Sequence, residues 1–123
     1  MRALARDFSA RIVLTPEGDK TEEMRLLTTP LLEYSGPEAK LALGAAFGLS
    51  TSGTNPDMLV VIEARPAEGA LRWHYSPVRM TAGGVVLKLR DDKVWEVEFV
   101  LQRQSPFPNW TFFQIPRVPL EKP

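Results

Sequence analysis

Val85-Val86-Leu87-Lys88-Leu89-Arg90-Asp91-Asp92-Lys93-Val94-Trp95-Glu96-Val97-Glu98-Phe99-Val100-Leu101 alternates apolar and polar side chains on both sides of an acidic break. Side chains of a strand point to opposite faces in turn, so this stretch reads as a β-hairpin with one face in a core. Val85, Leu87 and Leu89 form the apolar set of the first arm, and Trp95, Val97, Phe99 and Leu101 that of the second. A two-residue loop at Asp91-Asp92 would set Leu87 against Glu96, a carboxylate opposite the core face. A three-residue loop, Asp91-Asp92-Lys93, pairs Leu89 with Trp95, Leu87 with Val97 and Val85 with Phe99. A one-residue slip turns every side chain over, so the three-residue loop is expected. The same register sets Lys88 opposite Glu96 as an exposed charge pair and makes Trp95 a core residue.

The pattern extends upstream. Leu71, Trp73 and Tyr75 alternate with Arg72, His74 and Ser76, after which Val78 and Met80 carry the apolar phase. A proline cannot donate to a ladder, so a bulge at Ser76-Pro77 is the expected cause of that flip. Met58–Ile62 is continuously apolar and rich in β-branched residues, as suits a central strand. Further strands are expected at Phe8–Leu14, Met24–Thr28, Leu31–Tyr34 and Trp110–Ile115, with a turn at Thr15–Asp19. Segment 35–51 allows two readings. Ser35-Gly36-Pro37-Glu38 has capping-box spacing ahead of Ala39–Phe47, while Gly44 in the middle weakens a helix. The expectation is a short helical turn near Pro37, then a strand over 42–51, joined through the Gly53–Asp57 turn to Met58–Ala64.

About eight short antiparallel strands in 123 residues describe one all-β domain, a small β-sandwich or partly open barrel spanning 1–123, with 116–123 a proline-bearing tail. Fifteen basic and fifteen acidic side chains cancel, and they are spread evenly: six and eight in 1–61, nine and seven in 62–123. No basic stripe exists to follow a phosphate backbone, so nucleic acid is not an expected partner. Zero net charge favours self-association over steering of charged ligands. With no cysteine, disulfides and thiolate chemistry are excluded. Neither the start, Met1–Asp7, nor any later run has the apolar length of a signal peptide or membrane span, so a cytoplasmic protein is expected, or an exported one if Met1 is not the native start.

The order Leu26-Leu27, Pro30-Leu31, Tyr34, then Gly44-Ala45 and Phe47, Gly53-Thr54-Asn55-Pro56-Asp57, Ile62-Glu63-Ala64-Arg65, Trp73, Tyr75 and Lys93-Val94-Trp95 resembles a family of uncharacterised bacterial proteins associated mainly with planctomycetes. The resemblance covers about residues 6–97 and implies strands on both sides of the Gly53–Asp57 turn. It carries no activity, so no residue role follows from it.

Little in the chain points to catalysis. His74 is the sole imidazole and lies on the polar face of its strand, and no Gly-x-Ser-x-Gly elbow accompanies it. Glu96 and Glu98 share a strand face, which is the raw material of a glycosidase pair but equally a solvated face. Asp91 and Asp92 supply too few oxygens for calcium. No catalytic residue, metal or cofactor is therefore assigned. Two places are candidates for binding. The loop Ser50, Thr51, Ser52, Thr54 and Asn55 offers hydroxyls and an amide between two strands, as a sugar or anion site would. Trp110 and Phe112 fall on the outward face of the last strand, an arrangement suited to a protein contact or to sugar stacking. The expected function is a non-catalytic binding or protein-assembly module, with a second copy, another protein or a small ligand such as a sugar as partner. The alternative is a carbohydrate-active enzyme using a carboxylate pair.

Overall fold

Alternating burial along each long strand builds two antiparallel sheets around one core, as read from a computed structural model that describes residues 1–36, 41–99 and 113–114. The elements run α1 (Arg2–Ala5), β1 (Phe8–Val13), β2 (Thr21–Glu23), β3 (Arg25–Leu26), β4 (Leu32–Gly36), β5 (Leu41–Ser50), β6 (Met58–Ala67), β7 (Ala70–Arg79), β8 (Gly84–Leu89), β9 (Asp92–Val97) and β10 (Phe113–Gln114). The smaller sheet has the order β2-β1-β8-β9. The larger runs β10-β7-β6-β5-β3, with β4 also on β5. The all-β expectation holds.

Phe8, Ala10 and Ile12 of β1 join Val85, Leu87 and Leu89 of β8 as the inner face of the smaller sheet. Against them stand Phe47 and Leu49 of β5, Met58, Val60 and Ile62 of β6, and Trp73 and Tyr75 of β7. The Phe8 and Tyr75 rings meet across the core with centroids 5.1 Å apart. The chain changes sheets at Met24. Its N–H bonds Ala10 in the smaller sheet and its side chain is buried, so the strand expected over Met24–Thr28 shortens to β3, and β2, just before it, is an additional short strand in the smaller sheet.

The hairpin differs from the expected register. Its loop is the two-residue turn Arg90-Asp91, both with positive φ, 52° and 71°. Leu89 faces Asp92 and Lys88 faces Lys93, and then the register shifts, so that Leu87 faces Trp95, Val86 faces Glu96 and Val85 faces Val97. The extra residue of that bulge is Val94. A two-residue turn alone would reverse the faces of β9, and the bulge restores them. Trp95 and Val97 thus keep their inward side, although as edge-strand residues they are only partly buried. Lys88 does not face Glu96, whose carboxylate instead lies 3.6 Å from Lys93.

The expected bulge at Ser76-Pro77 is also absent. The β6–β7 ladder runs unbroken from Met58↔Arg79 to Ala67↔Ala70, with Pro77 opposite Val60. The apolar phase does not flip. Arg79 takes the inward position after Tyr75 and Pro77, while Met80 is exposed. Its guanidinium donates to the carbonyls of Thr81, Gly83 and Glu98, tying the larger sheet to the end of β9. Burial lowers the Arg79 pKa. Segment 41–50 is a strand, as expected, and the helical turn expected near Pro37 lies outside the described residues.

Candidate functional site

The outer face of the larger sheet brings together a buried carboxylate and the polar side chains that bond it. Register partners on neighbouring strands share a face, so Tyr34, Gly44, Glu63 and His74 form one row across β4, β5, β6 and β7. Arg65 and Arg72 face each other in the next row. Glu63 lies on a central strand with only 6% of its side chain exposed. A buried carboxylate requires partners, and it has them. The Tyr34 hydroxyl donates to Oε2 at 2.5 Å. Arg65 gives Nε at 2.7 Å and Nη2 at 2.6 Å to Oε1. Burial first, then the hydrogen bond to Glu63 and its charge, push the Tyr34 hydroxyl well above the ordinary tyrosine range, with Arg65 opposing in part.

Gly44 makes this arrangement possible. A Cβ there would lie 2.5 Å from two ring carbons of Tyr34, so the ring can cover β5 only because the position has no side chain. Gly48 serves similarly. A Cβ on it would meet Pro56 at 3.1 Å, Leu27 at 3.2 Å and Leu31 at 3.6 Å, which form an apolar cap over that end of the strand. Between the two glycines, the row Leu32, Ala46, Val61 and Ser76 continues the face. Leu31 and Leu32 remain 54% and 58% exposed on the β3–β4 edge. This face is apolar at one end and charged at the other.

His74, Ser76 and Glu63 are neighbours here, a set that could suggest nucleophilic catalysis. The geometry does not form a relay. Both Glu63 oxygens serve Tyr34 and Arg65. His74 Nδ1 lies 3.3 Å from the Arg72 carbonyl, and Ser76 Oγ is buried with no hydrogen-bond partner among the described residues.

The loop expected as a binding site uses its polar groups internally. Ser50 Oγ lies 2.6 Å from the Ser52 carbonyl and 2.7 Å from that of Asn55, and accepts the Ser52 N–H. The Thr51 amide and hydroxyl both donate to Asp57 Oδ2. Gly53 gives its carbonyl to Arg25. The described contacts at Ser52 and Asn55 are backbone ones, and Thr54 is exposed. The other candidates, Trp110 and Phe112, lie outside the described residues. Glu96 and Glu98 line one cleft of about 400 Å³ together with Val13, Pro16, Val86 and Phe99 on the outer side of the smaller sheet. Among the described residues no cluster of His, Asp and Glu could hold a metal ion, and no helix is long and apolar enough to cross a membrane.

Sequence reasoning did not single out Tyr34, Glu63 and Arg65 as a unit. The available signal was Glu63 inside the apolar Met58–Ala64 run, with Arg65 two residues further on. An acid there must either sit at an edge or find partners. The fold and this face define an all-β domain with a semi-polar outer sheet surface. Neither protein-family models, nor curated proteins, nor solved structures provide a match to the chain.

Proposed function

We propose that this protein is a non-catalytic β module that works by contact, self-assembling through the outer face and β3–β4 edge of its larger sheet. The observation that carries this reading is the pair Leu31 and Leu32, more than half exposed beside partly buried Leu59, Val61 and Val78. Exposed leucines clustered beside fixed polar groups are the composition of a contact surface. Among the described residues β5 is the sheet partner of β4, and the other side of β4 offers backbone groups for pairing. Zero net charge lets two copies approach without repulsion. Sedimentation velocity over a concentration series tests it. The native chain is expected to gain mass with concentration, and Leu31→Ser/Leu32→Ser to stay monomeric with an unchanged circular dichroism spectrum. A native chain that remains monomeric throughout rejects self-assembly.

A carbohydrate-active enzyme is the second reading, favoured by Glu96 and Glu98 lining one cleft. Glycosidase carboxylates flank the scissile bond from two sides. Glu96 lies in β9 and Glu98 just beyond its end, two residues on, which spans about 6–7 Å of extended chain, and Glu96 is exposed beside Lys93. Hydrolysis of chromogenic glycosides that disappears in Glu98→Gln would favour this reading over the first.

A further inference from the structure

We infer that the side of β4 away from β5 pairs with β4 of a second copy in one register, antiparallel about a two-fold axis at Tyr34; this rests on the self-assembly reading and specifies its geometry. The carbonyls of Gly48 and Ala46 take the N–H groups of Leu27 and Leu31, so the even-numbered residues of β5 point toward the β3–β4 edge. Ala46 and Gly44 are the register partners of Leu32 and Tyr34, whose backbone groups therefore point to β5. Successive residues of a strand turn their N–H and C=O to opposite sides, so those of Glu33 and Ser35 point away from the sheet. The irregularity in this ladder lies on β5, which has two residues between Gly44 and Leu41 where β4 has Ser35 alone between Tyr34 and Gly36. β4 thus stays regular. Edges are commonly blunted by lysine, proline or a bulge, and Leu32-Glu33-Tyr34-Ser35-Gly36 carries none of them. Residues pair across a ladder only when both face it or both face away, so symmetric registers centre on Glu33, Tyr34 or Ser35. Centring on Glu33 opposes two carboxylates, which destabilises. Centring on Ser35 leaves Leu32 and Glu33 without partners in the strand. Centring on Tyr34 pairs the whole strand: Glu33 exchanges backbone bonds with Ser35 of the other copy, and each carboxylate faces a hydroxyl. Leu32 then lies over Gly36 of the other copy, where a Cβ would meet nothing within 4 Å. Tyr34 leaves the axis open, because its ring reaches the other way, over Gly44 to Glu63. Such an isologous contact closes at two copies.

The chain has no cysteine, so introduced thiols report the register directly. In the Tyr34-centred register, position 32 of one copy and position 36 of the other have Cα atoms about 4.5 Å apart, within disulfide range. Two copies of position 32, or two of position 36, are about 13 Å apart along the strands and beyond it. Leu32→Cys and Gly36→Cys proteins are mixed under mild oxidation, at a concentration where the native chain gains mass in sedimentation. Disulfide dimers are expected at least tenfold faster in the mixture than in either variant alone, and faster than in any mixture with Ser9→Cys on the smaller sheet. Glu33→Pro removes an N–H that the fold itself does not use, and is expected to stay monomeric with an unchanged circular dichroism spectrum. A native chain that associates while the mixture cross-links no faster than the single variants overturns the register and leaves self-assembly standing. A folded Glu33→Pro chain that associates as the native one does overturns it as well. A native chain that stays monomeric at every concentration defeats both readings.

Discussion

Gly44 and Arg79 each hold a place that local preference alone would not assign them. Alanine ordinarily improves a strand over glycine, because it removes backbone entropy from the unfolded chain. At Gly44 the added methyl displaces the Tyr34 ring instead. Gly44→Ala is expected to cost about 1–3 kcal/mol, since Glu63 loses a buried hydrogen bond. Ultraviolet titration should also show one tyrosine ionising at lower pH than in the native protein. Arg79→Ala removes the donor to three carbonyls that joins β7 to the end of β9. Because those bonds come from a charged donor, a loss of about 2–4 kcal/mol is expected in urea unfolding.

The β8–β9 hairpin shows how an element can be read correctly on one level and misread on another. Its existence, its inward face and the identities of Leu87, Trp95 and Val97 follow from period-two alternation. Its register does not, because Arg90 is an unusual first residue for a turn that needs two positive φ values. The reason is tertiary: the Arg90 N–H bonds the Asp7 carbonyl, and its side chain meets the Asp7 carboxylate at 3.2 Å. No local pattern announces a partner 83 residues away. Asp91→Gly should therefore stabilise the domain by about 0.5–1 kcal/mol, since glycine suits φ 71° better. Trp95→Ala should cost about 1.5–3 kcal/mol, less than a fully buried tryptophan, because β9 is an edge strand. Thermal unfolding of both variants checks the pair. The candidate site was less legible for the same reason. Tyr34, Glu63 and Arg65 come from two separate strands, and only the pairing of both with β5 shows that they meet. The inward phase of β7 through Trp73 and Tyr75 is as expected, but beyond Pro77 it is not, because the charged residue Arg79 continues the inward side where an apolar pattern points to Val78 and Met80.

At the scale of the whole molecule, the two tyrosines make stability depend on alkaline pH. Burial raises Tyr75, and burial with Glu63 raises Tyr34. A folded pKa above the unfolded one means the native state binds more protons in the interval between them. The contribution is fully present below the unfolded tyrosine pKa of about 10 and is lost as pH rises from there toward the folded values. Denaturant midpoints should therefore fall steeply above pH 10, and Tyr34→Phe should flatten that fall. The larger claim is that one face of one sheet is the working surface. Its most direct test follows leucine and valine methyl signals by NMR as the native protein is concentrated from dilute monomer. Shifts confined to Leu31, Leu32, Leu59, Val61 and Val78 are predicted. Methyls that stay unchanged there, or that move instead on the smaller sheet at Val13 and Val86, contradict it.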